Sequence, residues 1–410
     1  MNTLVIGKGG REHAIVQVLK KSSNCYCFPG RDGFDVQSLQ TSHVSKAEDL
    51  VPEMKEKKID LVVIGPEAEL SQGWSDVFRS YNFSVFGPSQ QASQLESSKI
   101  FAKEFMKRAG IPTAKYFVVQ SLQDTLLQAK HFSPPYVLKA DGLAGGKGVF
   151  ICPDERSLKE NAQKIFEDQI FGKAGEKALL EEFQEGTELS VFILTEGKDY
   201  CVLPLAQDYK KLHEGGKGLN TGGMGAVAPL NVGSEVWEDI EKNIVKTTIK
   251  QIEKDDLFYR GVLYIGLIQT AQGLKVLEYN VRFGDPECQV ILPLLDMDAA
   301  QLFYDVAQGN LPSLKFNNLF SCCVVLSERG YPENPKKGEL ISSSLTKDSP
   351  TAYLLHAGTK KSKEGYRVDG GRVLNAIGVG LTKEQARKRA YALLDSFPHH
   401  LYFRKDIGDS

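Results

Sequence analysis

The sequence lacks the features that mark membrane, secreted and zinc-binding proteins. No apolar run among its 410 residues is long enough to span a bilayer. The seven cysteines are odd in number, and Cys25 and Cys27 form a C-x-C pair with no second pair at zinc-binding spacing. The opening "MNTLVIGKGG" is typical of a first strand and its turn, not of a signal peptide. We therefore expect buried thiols in a cytoplasmic protein.

The sequence also lacks a strong charge of either sign. Its 50 Lys and Arg residues nearly balance 52 Asp and Glu residues, which leaves a formal net charge of −2. Neither nucleic acid nor an acidic membrane surface is therefore indicated as a partner. Hydrophobic residues make up 41% and charged residues 25% of the chain, as in soluble globular proteins. The length allows two or three domains.

Three regions differ in their pattern of strands and helices. Short apolar runs alternate with helical segments over residues 1–96, which predicts an α/β domain with a parallel sheet. An amphipathic helix then begins near residue 97, ends at Gly110 and Pro112, and precedes many strand-like segments. From residue 313 onward the pattern predicts several strands and one capped helix.

The strongest chemical signal lies in "LEYNVRFGDPECQ", residues 277–289. Glu278, Asn280 and Arg282 are two residues apart, so on a strand they share one face, while the apolar residues between them face a core. Carboxylate and amide oxygens suit Mg²⁺, which shares its shell with water and phosphates. A solvated strand face is the alternative. The turn that follows favours a ligand site, because it places Arg282 at a sheet edge.

Two further stretches are candidates for nucleotide binding. "VLKADGLAGGKGVF" carries Lys139 and Lys147 around glycines whose N–H groups can approach phosphates. It is not a P-loop, and a hairpin with surface lysines is the alternative. In "LLEEFQEGTELSV", main-chain groups near Glu182 and Phe183 could pair with an adenine edge, and Glu188 could accept from ribose hydroxyls. Taken alone, ordinary charged strand ends are the better interpretation of that stretch.

The remaining candidates lie at turns. "GKGGREH" puts Gly9 and Gly10 at a strand-to-helix turn, where helix N–H groups bind phosphate, and Arg11 adds a cation. It is not a dinucleotide fingerprint, because the third glycine would fall on Glu12, and a purely structural turn is the alternative. Glu67 follows a buried strand, at the end where open α/β sheets bind ligands. "GLNTGGMGA" predicts a substrate-covering loop or a plain surface loop.

Together these stretches resemble the ATP-grasp ligases, and within them the glycinamide ribonucleotide synthetase family. The resemblance covers nearly the whole chain, from "GKGGREHA" through "NTGGMGA" to "HAGT" and "GGRVL", and "RFGDPECQ" matches the family signature R-F-G-D-P-E-x-Q. It implies a parallel-sheet N-terminal domain (1–96) and an ATP-grasp domain (97–312) with a small lid subdomain over about 115–190. A small β-rich C-terminal domain (313–410) completes the implied α/β and α+β architecture.

The resemblance implies a ligase of purine biosynthesis that joins glycine to 5-phosphoribosylamine. The glycine carboxylate attacks the γ-phosphate of ATP, and the amine then displaces phosphate from the acyl phosphate to give glycinamide ribonucleotide. The implied cofactors are ATP and Mg²⁺, with Mn²⁺ as an alternative metal. The implied partners are these small molecules, in a cytoplasmic monomer or weak homodimer.

The family also implies a role for each candidate residue. Arg282 and Asp208 are the expected catalytic residues, and Glu278 and Asn280 the expected metal ligands. The expected ATP-binding residues are Lys99, Lys139, Gly145, Gly146, Lys147, Glu181, Glu182, Phe183 and Glu188. The expected residues for the amine substrate and its closing loop are Gly9, Gly10, Arg11, Glu67, Asn220, Thr221, Gly222 and Met224.

The chain departs from the family pattern mainly on the amine side. Lys8 stands where the family usually has Asn, and "PGRDGF" replaces "PGNxGT", while "QDYKK" replaces "QDHKR". The charges of Lys8 and Arg31 suit a phosphate, whereas Phe34 replaces a hydroxyl with bulk. The alternatives are a ligase for another amine, a catalytically weak nucleotide-binding homologue, or a Rossmann-type oxidoreductase. The failed fingerprint disfavours the last.

Overall fold

The structure is a computed structural model that describes residues 1–145, 147–342, 349–394, 397 and 401–409. Within these ranges no helix is both long and apolar enough to cross a membrane.

The N-terminal part contains the predicted parallel sheet. Its five strands lie in the order β3-β2-β1-β4-β5. The central runs "LVI" and "LVVI" are buried on both faces, as parallel strands covered by helices require. The strands are β1 Asn2–Gly7, β2 Asn24–Pro29, β3 Gln37–Ser38, β4 Leu61–Ile64 and β5 Ser84–Phe86. The helices are α1 Gly10–Leu19, α2 Val51–Glu56, α3 Glu67–Ser71, α4 Trp74–Ser80 and α5 Gln94–Ser97.

A small antiparallel sheet follows, in the order β6-β9-β7-β8. One face packs Leu138, Ala140 and Leu180 under two helices, so Lys139 and Glu181, at alternate positions, belong to the opposite face. This sheet lies within the region predicted to form the lid. The elements are α6 Lys99–Ala109, β6 Tyr116–Val119, α7 Leu122–Ala129, β7 Tyr136–Ala140, β8 Val149–Cys152, α8 Glu155–Phe166 and β9 Ala178–Glu182.

A second antiparallel sheet, in the order β11-β10-β16-β17, carries the predicted metal strand at its edge. Its elements are β10 Thr187–Thr195, β11 Tyr200–Val202, β16 Gly261–Thr270 and β17 Gly273–Asn280. Between β11 and β16 lie β12 Gln207–Asp208, β13 Lys211–His213, β14 Lys217–Asn220, β15 Gly225–Ala228, α9 Ser234–Asp239, a π-helical turn Ile240–Val245 and α10 Lys246–Lys254. The helices α11 Cys288–Ile291 and α12 Ala299–Gln308 follow.

The predicted β-rich C-terminal part is confirmed, and it recruits two strands from the middle of the chain. Its main sheet has the order β12-β15-β18-β23-β20, with β24 paired to β18. The chain between β12 and β15, which includes the loop from β14 to β15, is therefore held at the junction of the central and C-terminal parts. The elements are β18 Phe320–Glu328, β19 Leu340–Ser342, β20 Ala352–His356, β21 Thr359–Ser362, β22 Gly365–Val368, β23 Arg372–Gly380, α13 Lys383–Ala392 and β24 Leu401–Tyr402.

Candidate active site

The residues of the predicted metal strand lie together. Asn280 Nδ2 is 3.5 Å from Glu278 Oε1, and Arg282 Nη2 donates to Asn280 Oδ1 at 3.1 Å. The apolar residues between them, Tyr279 and Val281, are buried in the core. The alternation inferred from the sequence is therefore present.

A β-bulge, which the sequence did not indicate, sets which face of the sheet Glu278 and Asn280 share. Gly266 on β16 lies opposite Glu278, and Leu267 lies opposite Val276, so Leu277 is an extra residue in β17. Val276 is fully buried, and without the bulge Glu278 would share its face. The bulge therefore turns Glu278 from the core to the cleft, as bulges beside functional sites do.

Four cations from separate parts of the chain act on the Glu278 carboxylate. Glu278 is open to the cleft; desolvation by the protein around it acts to raise its pKa, but the charges of Lys210, Lys139, Lys99 and Arg282 together lower it. Lys99 opens α6 and Lys139 lies on β7, as expected for ATP-binding residues. Lys210, which follows β12, was not among the predicted site residues. Its sequence signal is the motif "QDYKK": this motif departs from the family pattern "QDHKR" at its third and fifth positions but shares the lysine at its fourth, which is Lys210.

The cleft-side face of the lid sheet combines charge with an apolar wall. Glu181 Oε2 lies 3.0 Å from Lys139 Nζ and 3.3 Å from Lys103 Nζ. Its other oxygen, Oε1, is buried, and no described residue forms a hydrogen bond with it. Val149 and Ile151 on the edge strand β8 lie on the same face as Lys139 and are exposed, although both are apolar. Neither was predicted from the sequence.

The remaining predicted ATP-binding residues lie at the rim of this cleft. Glu182 accepts from Lys115 N at 3.0 Å and from Lys275 Nζ at 3.4 Å, and these bonds hold the end of β9, where the chain leaves the lid sheet. The side chain of Phe183, the next residue, is exposed. Glu188 pairs with Lys210 at 3.1 Å. In the glycine-rich loop, Gly145 has a φ of +56° and Lys147 is exposed. Gly146 lies outside the described residues.

The predicted amine-side residues form an ion-pair network with Arg282. Glu67 Oε2 lies 3.4 Å from Arg282 Nε and 3.8 Å from Arg11 Nη2. Burial acts to raise the pKa of Glu67, but the two guanidinium groups lower it to about 2. Arg11 is also held by Glu12, through Nε at 2.6 Å. The first turn of α1 thus lies beside the end of the metal strand.

The two predicted glycines of this turn serve close packing. A Cβ on Gly9 would lie 2.9 Å from Glu12 Oε2, and Gly9 N donates to the same oxygen at 2.6 Å. A Cβ on Gly10 would lie 2.3 Å from Asn375 Nδ2, in the C-terminal sheet. The turn therefore has a structural reason for its glycines, beside any role in phosphate binding.

The predicted closing loop packs against Asp208 and the turn after Arg282. Gly223 has a φ of +110°, and a Cβ there would lie 2.7 Å from Asp208 Oδ1 and 2.4 Å from Pro286 Cδ. Burial raises the pKa of Asp208, and the nearby Glu287 carboxylate raises it further. Among the residues that the structure describes, Asp208 Oδ1 has no hydrogen-bond partner. An unpaired, buried carboxyl oxygen is thus enclosed beneath this loop.

Gly222, in the middle of this loop, is hydrogen-bonded to the C-terminal part. Gly222 O accepts from Arg372 Nη1 at 2.6 Å, and Gly222 N donates to the Tyr331 hydroxyl at 2.8 Å. The Thr221 hydroxyl donates to Lys210 O at 2.8 Å. The other two predicted loop residues are Asn220, which is exposed, and Met224, whose side chain is fully buried.

The two residues Arg31 and Phe34, at which "PGRDGF" departs from the family pattern, make contacts within the protein and do not line the cleft. Arg31 pairs with Asp369 and donates to Thr359 O at 3.1 Å, so its charge is neutralised by the C-terminal part. Phe34 is fully buried and stacks on His13, with 4.6 Å between ring centroids. The structure thus gives the Arg31 charge and the Phe34 bulk a packing role.

Comparisons with known proteins give the same assignment along the whole chain. The family models for phosphoribosylglycinamide synthetase match in order: the N domain over residues 1–96, the ATP-grasp (A) domain over 97–288 and the C domain over 321–410. The phosphoribosylamine–glycine ligase of Caldanaerobacter subterraneus is 38% identical over 416 residues, covering 100% of this chain and 99% of that protein. The ligase of the same name from Clostridium acetobutylicum is 37% identical and is covered completely, as is this chain.

Solved structures agree. The biotin carboxylase domain of Hydrogenobacter thermophilus 2-oxoglutarate carboxylase, at 18% identity, has a TM-score of 0.76 over 98% of this chain and 91% of that one, and shares the fold. The crystal structure of the Thermotoga maritima phosphoribosylamine–glycine ligase has a TM-score of 0.88 at 35% identity, over 99% of this chain and 100% of that one.

The fold and the cleft between the two central sheets define an ATP-grasp enzyme. The chain belongs to the phosphoribosylglycinamide synthetase family. The predicted fold and the predicted enzyme class, an ATP-dependent phosphoribosylamine–glycine ligase of purine biosynthesis, are thereby confirmed.

Proposed function

We propose that this chain forms glycinamide ribonucleotide from glycine, 5-phosphoribosylamine and ATP through a glycyl phosphate intermediate. The observation that carries the proposal is the cleft around Glu278, where Lys99, Lys139, Lys210 and Arg282 converge on one carboxylate. Such a density of cations beside one acidic ligand suits a triphosphate, whose transfer depends on positioning and charge neutralisation.

The lid sheet supports adenine binding. The exposed apolar side chains Val149 and Ile151 offer a surface for a flat ring, next to Lys139 for the phosphates. Glu181 Oε1, buried and without a partner, can accept from the amino group that adenine carries and guanine lacks at the same ring position. Main-chain groups from Glu181 to Phe183 would complete the site, with Glu188 at the ribose.

Glu278 and Asn280 fit a magnesium ion. Both offer hard oxygen atoms, and in the described parts of the chain no cluster of three or more His, Cys, Asp or Glu side chains could hold a metal alone. Magnesium, which takes most of its ligands from phosphates and water, is compatible with so few protein ligands. When bound, the metal would neutralise charge on the transferring phosphoryl group.

Arg282 and Asp208 would serve the two chemical steps. Arg282, fixed between Glu67 and Asn280, would hold the glycine carboxylate or the γ-phosphoryl group while the carboxylate oxygen bonds to phosphorus and ADP leaves. The amine nitrogen then bonds to the acyl carbon, and phosphate leaves. Asp208 lies beneath the loop with one buried carboxyl oxygen that has no hydrogen-bond partner among the described residues, so in its ionised form this group can take the proton that the amine loses.

The amine substrate would occupy the space beside α1. Gly9, Gly10 and Arg11 would hold the sugar phosphate at the helix N-terminus, and Glu67 would contact the ribose. The loop from Asn220 to Met224 would close over the labile intermediate and exclude water.

The direct test is ADP release with glycine, ATP and Mg²⁺, with and without freshly generated 5-phosphoribosylamine. We expect sustained turnover only when both substrates are present. A folded, ATP-binding protein that releases no ADP with this pair would refute the proposed substrates, and other amines would then be assayed with glycine kept constant.

A further inference from the structure

Glu96, at the N-terminal side of α6, makes a double contact with the end of the metal strand. One carboxylate oxygen accepts from Val281 N at 2.8 Å, and the other accepts from Arg282 Nη2 at 2.6 Å. The side chain is 7% exposed, and it arrives from α5, outside the sheet that carries Arg282. The carboxylate of Glu96 thus holds both the backbone at Val281 and the guanidinium group of Arg282.

The other partners of Arg282 do not constrain it as closely. Glu67 approaches Nε at 3.4 Å, is one-third exposed, and is shared with Arg11. Asn280 supplies a neutral oxygen at 3.1 Å. Since charge-assisted hydrogen bonds are short and strong, the contact at 2.6 Å decides where the guanidinium lies.

The segment that carries Glu96 also carries Lys99 and is itself fixed. Ile100 N donates to Asp141 Oδ1 at 2.8 Å, and the Ser98 hydroxyl lies 3.1 Å from the same oxygen. Lys99 Nζ donates to Gly142 O at 3.1 Å. Residues 96–100 therefore connect the metal strand on one side with the first glycine of the lid loop on the other.

From this geometry we infer that Glu96 is a positioning residue for Arg282 in the proposed reaction. Glu96 holds the guanidinium beside Asn280 and Glu278 without reaching substrate itself. The inference rests on the proposed function, because it deepens the role given to Arg282. It separates two tasks within one short segment: Lys99 contacts ATP, whereas Glu96 orients the group that receives glycine or the phosphoryl group.

The test compares Glu96→Gln with the wild-type chain and with Glu53→Gln. The glutamine keeps the volume and one acceptor oxygen but loses the charge that attracts Arg282. Glu53 is a matched control, because its carboxylate also binds backbone N–H groups, of Gln40 and Thr41, within the N-terminal sheet domain and away from Arg282. We measure kcat/KM for glycine, the Kd of the analogue AMP-PNP with Mg²⁺, and the thermal midpoint.

We expect Glu96→Gln to lower kcat/KM for glycine at least tenfold, with the AMP-PNP Kd within about threefold of wild type. Glu96→Asp, which keeps the charge, should recover part of the loss, and Glu53→Gln should leave kcat/KM unchanged. A Glu96→Gln protein as active as Glu53→Gln, or one that loses AMP-PNP affinity as much as glycine turnover, would overturn the inference. If Glu96→Gln does not fold, Glu96→Asp decides by the same two measurements.

The wild-type reaction distinguishes this inference from the proposed function. If the wild type releases no ADP with glycine and 5-phosphoribosylamine, the proposed function fails. If it does and the variants follow their control, only the role of Glu96 fails.

Discussion

At the residue scale, Glu278 is the most exacting test of the site. We expect Glu278→Ala to lower ADP formation by at least about a thousandfold, because it removes a carboxylate on which four cations act and the main oxygen ligand for the metal. Initial rates of ADP release measure this loss, and circular dichroism checks the fold.

Glu185→Ala is the control for that experiment, since Glu185 is an exposed glutamate in the connection between β9 and β10. It should keep nearly full activity. A Glu278→Ala protein within about tenfold of wild type, equal to about 1.4 kcal/mol of barrier, would contradict the metal assignment.

Arg11 tests the amine side at the same scale. Arg11→Lys keeps the charge but cannot reproduce the fork that reaches both Glu12 and Phe283 O, at 2.6 Å and 3.1 Å. We expect the KM for 5-phosphoribosylamine to rise about tenfold while the KM for ATP stays within about twofold. Initial rates against each substrate give both values, and an equal rise for ATP would count against a phosphate role for Arg11.

At the scale of elements, the loop between β14 and β15 depends on Gly223. A Cβ there would lie 2.4 Å from Pro286 Cδ, and the φ of +110° disfavours any other residue. We expect Gly223→Ala to displace the loop from Asp208 and to lower kcat/KM for glycine at least tenfold, with most of the stability retained. Steady-state kinetics and thermal unfolding measure the two effects.

Gly216→Ala is the matched control in the same excursion of the chain. Its φ of +69° is also positive, but a Cβ there would meet nothing within 4 Å. It should lose about 1–2 kcal/mol of stability, the cost of an alanine in the left-handed region, and keep its activity. Similar kinetic losses in both variants would mean that backbone strain, not contact with Asp208 and Pro286, controls the loop.

The strands and their register also explain which parts of this site could be predicted from the sequence and which could not. Periodicity was sufficient for the shared face of Glu278 and Asn280, because apolar and polar residues alternate there. It could not indicate the bulge at Leu277, since a bulge is defined by the register with β16. Lys210 and Glu96 were missed for a related reason: their partners are distant in the chain, and only the fold brings them together.

At the scale of the whole molecule, the N-terminal and C-terminal parts meet directly. Arg31 pairs with Asp369, and Asp32 accepts from Lys361 N at 3.0 Å. In the same contact, His356 N donates to His13 Nδ1 at 2.7 Å. The departures in "PGRDGF" therefore belong to an interface that positions α1, and with it the amine side of the cleft, against the C-terminal sheet.

This interface should be sensitive to acid. Burial lowers the pKa of His356 from 6.5 to about 4, with Asp32 opposing the shift in part. Between these values the unfolded chain binds more protons than the folded one, so stability falls as the pH drops from 6.5 toward 4. At pH 5 this one group should have lost about 2 kcal/mol relative to pH 7.5, and His13, whose pKa is also lowered by burial, adds to the loss.

His356→Asn removes the titrating ring and can keep a polar contact with the Thr359 hydroxyl, which lies 2.9 Å from His356 Nδ1. We expect the variant to be less stable than wild type at pH 7.5, because it loses packing against Tyr366, and to lose less stability on acidification. Urea unfolding at pH 7.5 and pH 5 measures the difference. His43→Asn, at an exposed position, should follow the wild type at both pH values, and a His356→Asn protein that did the same would show that this histidine does not link the interface to pH.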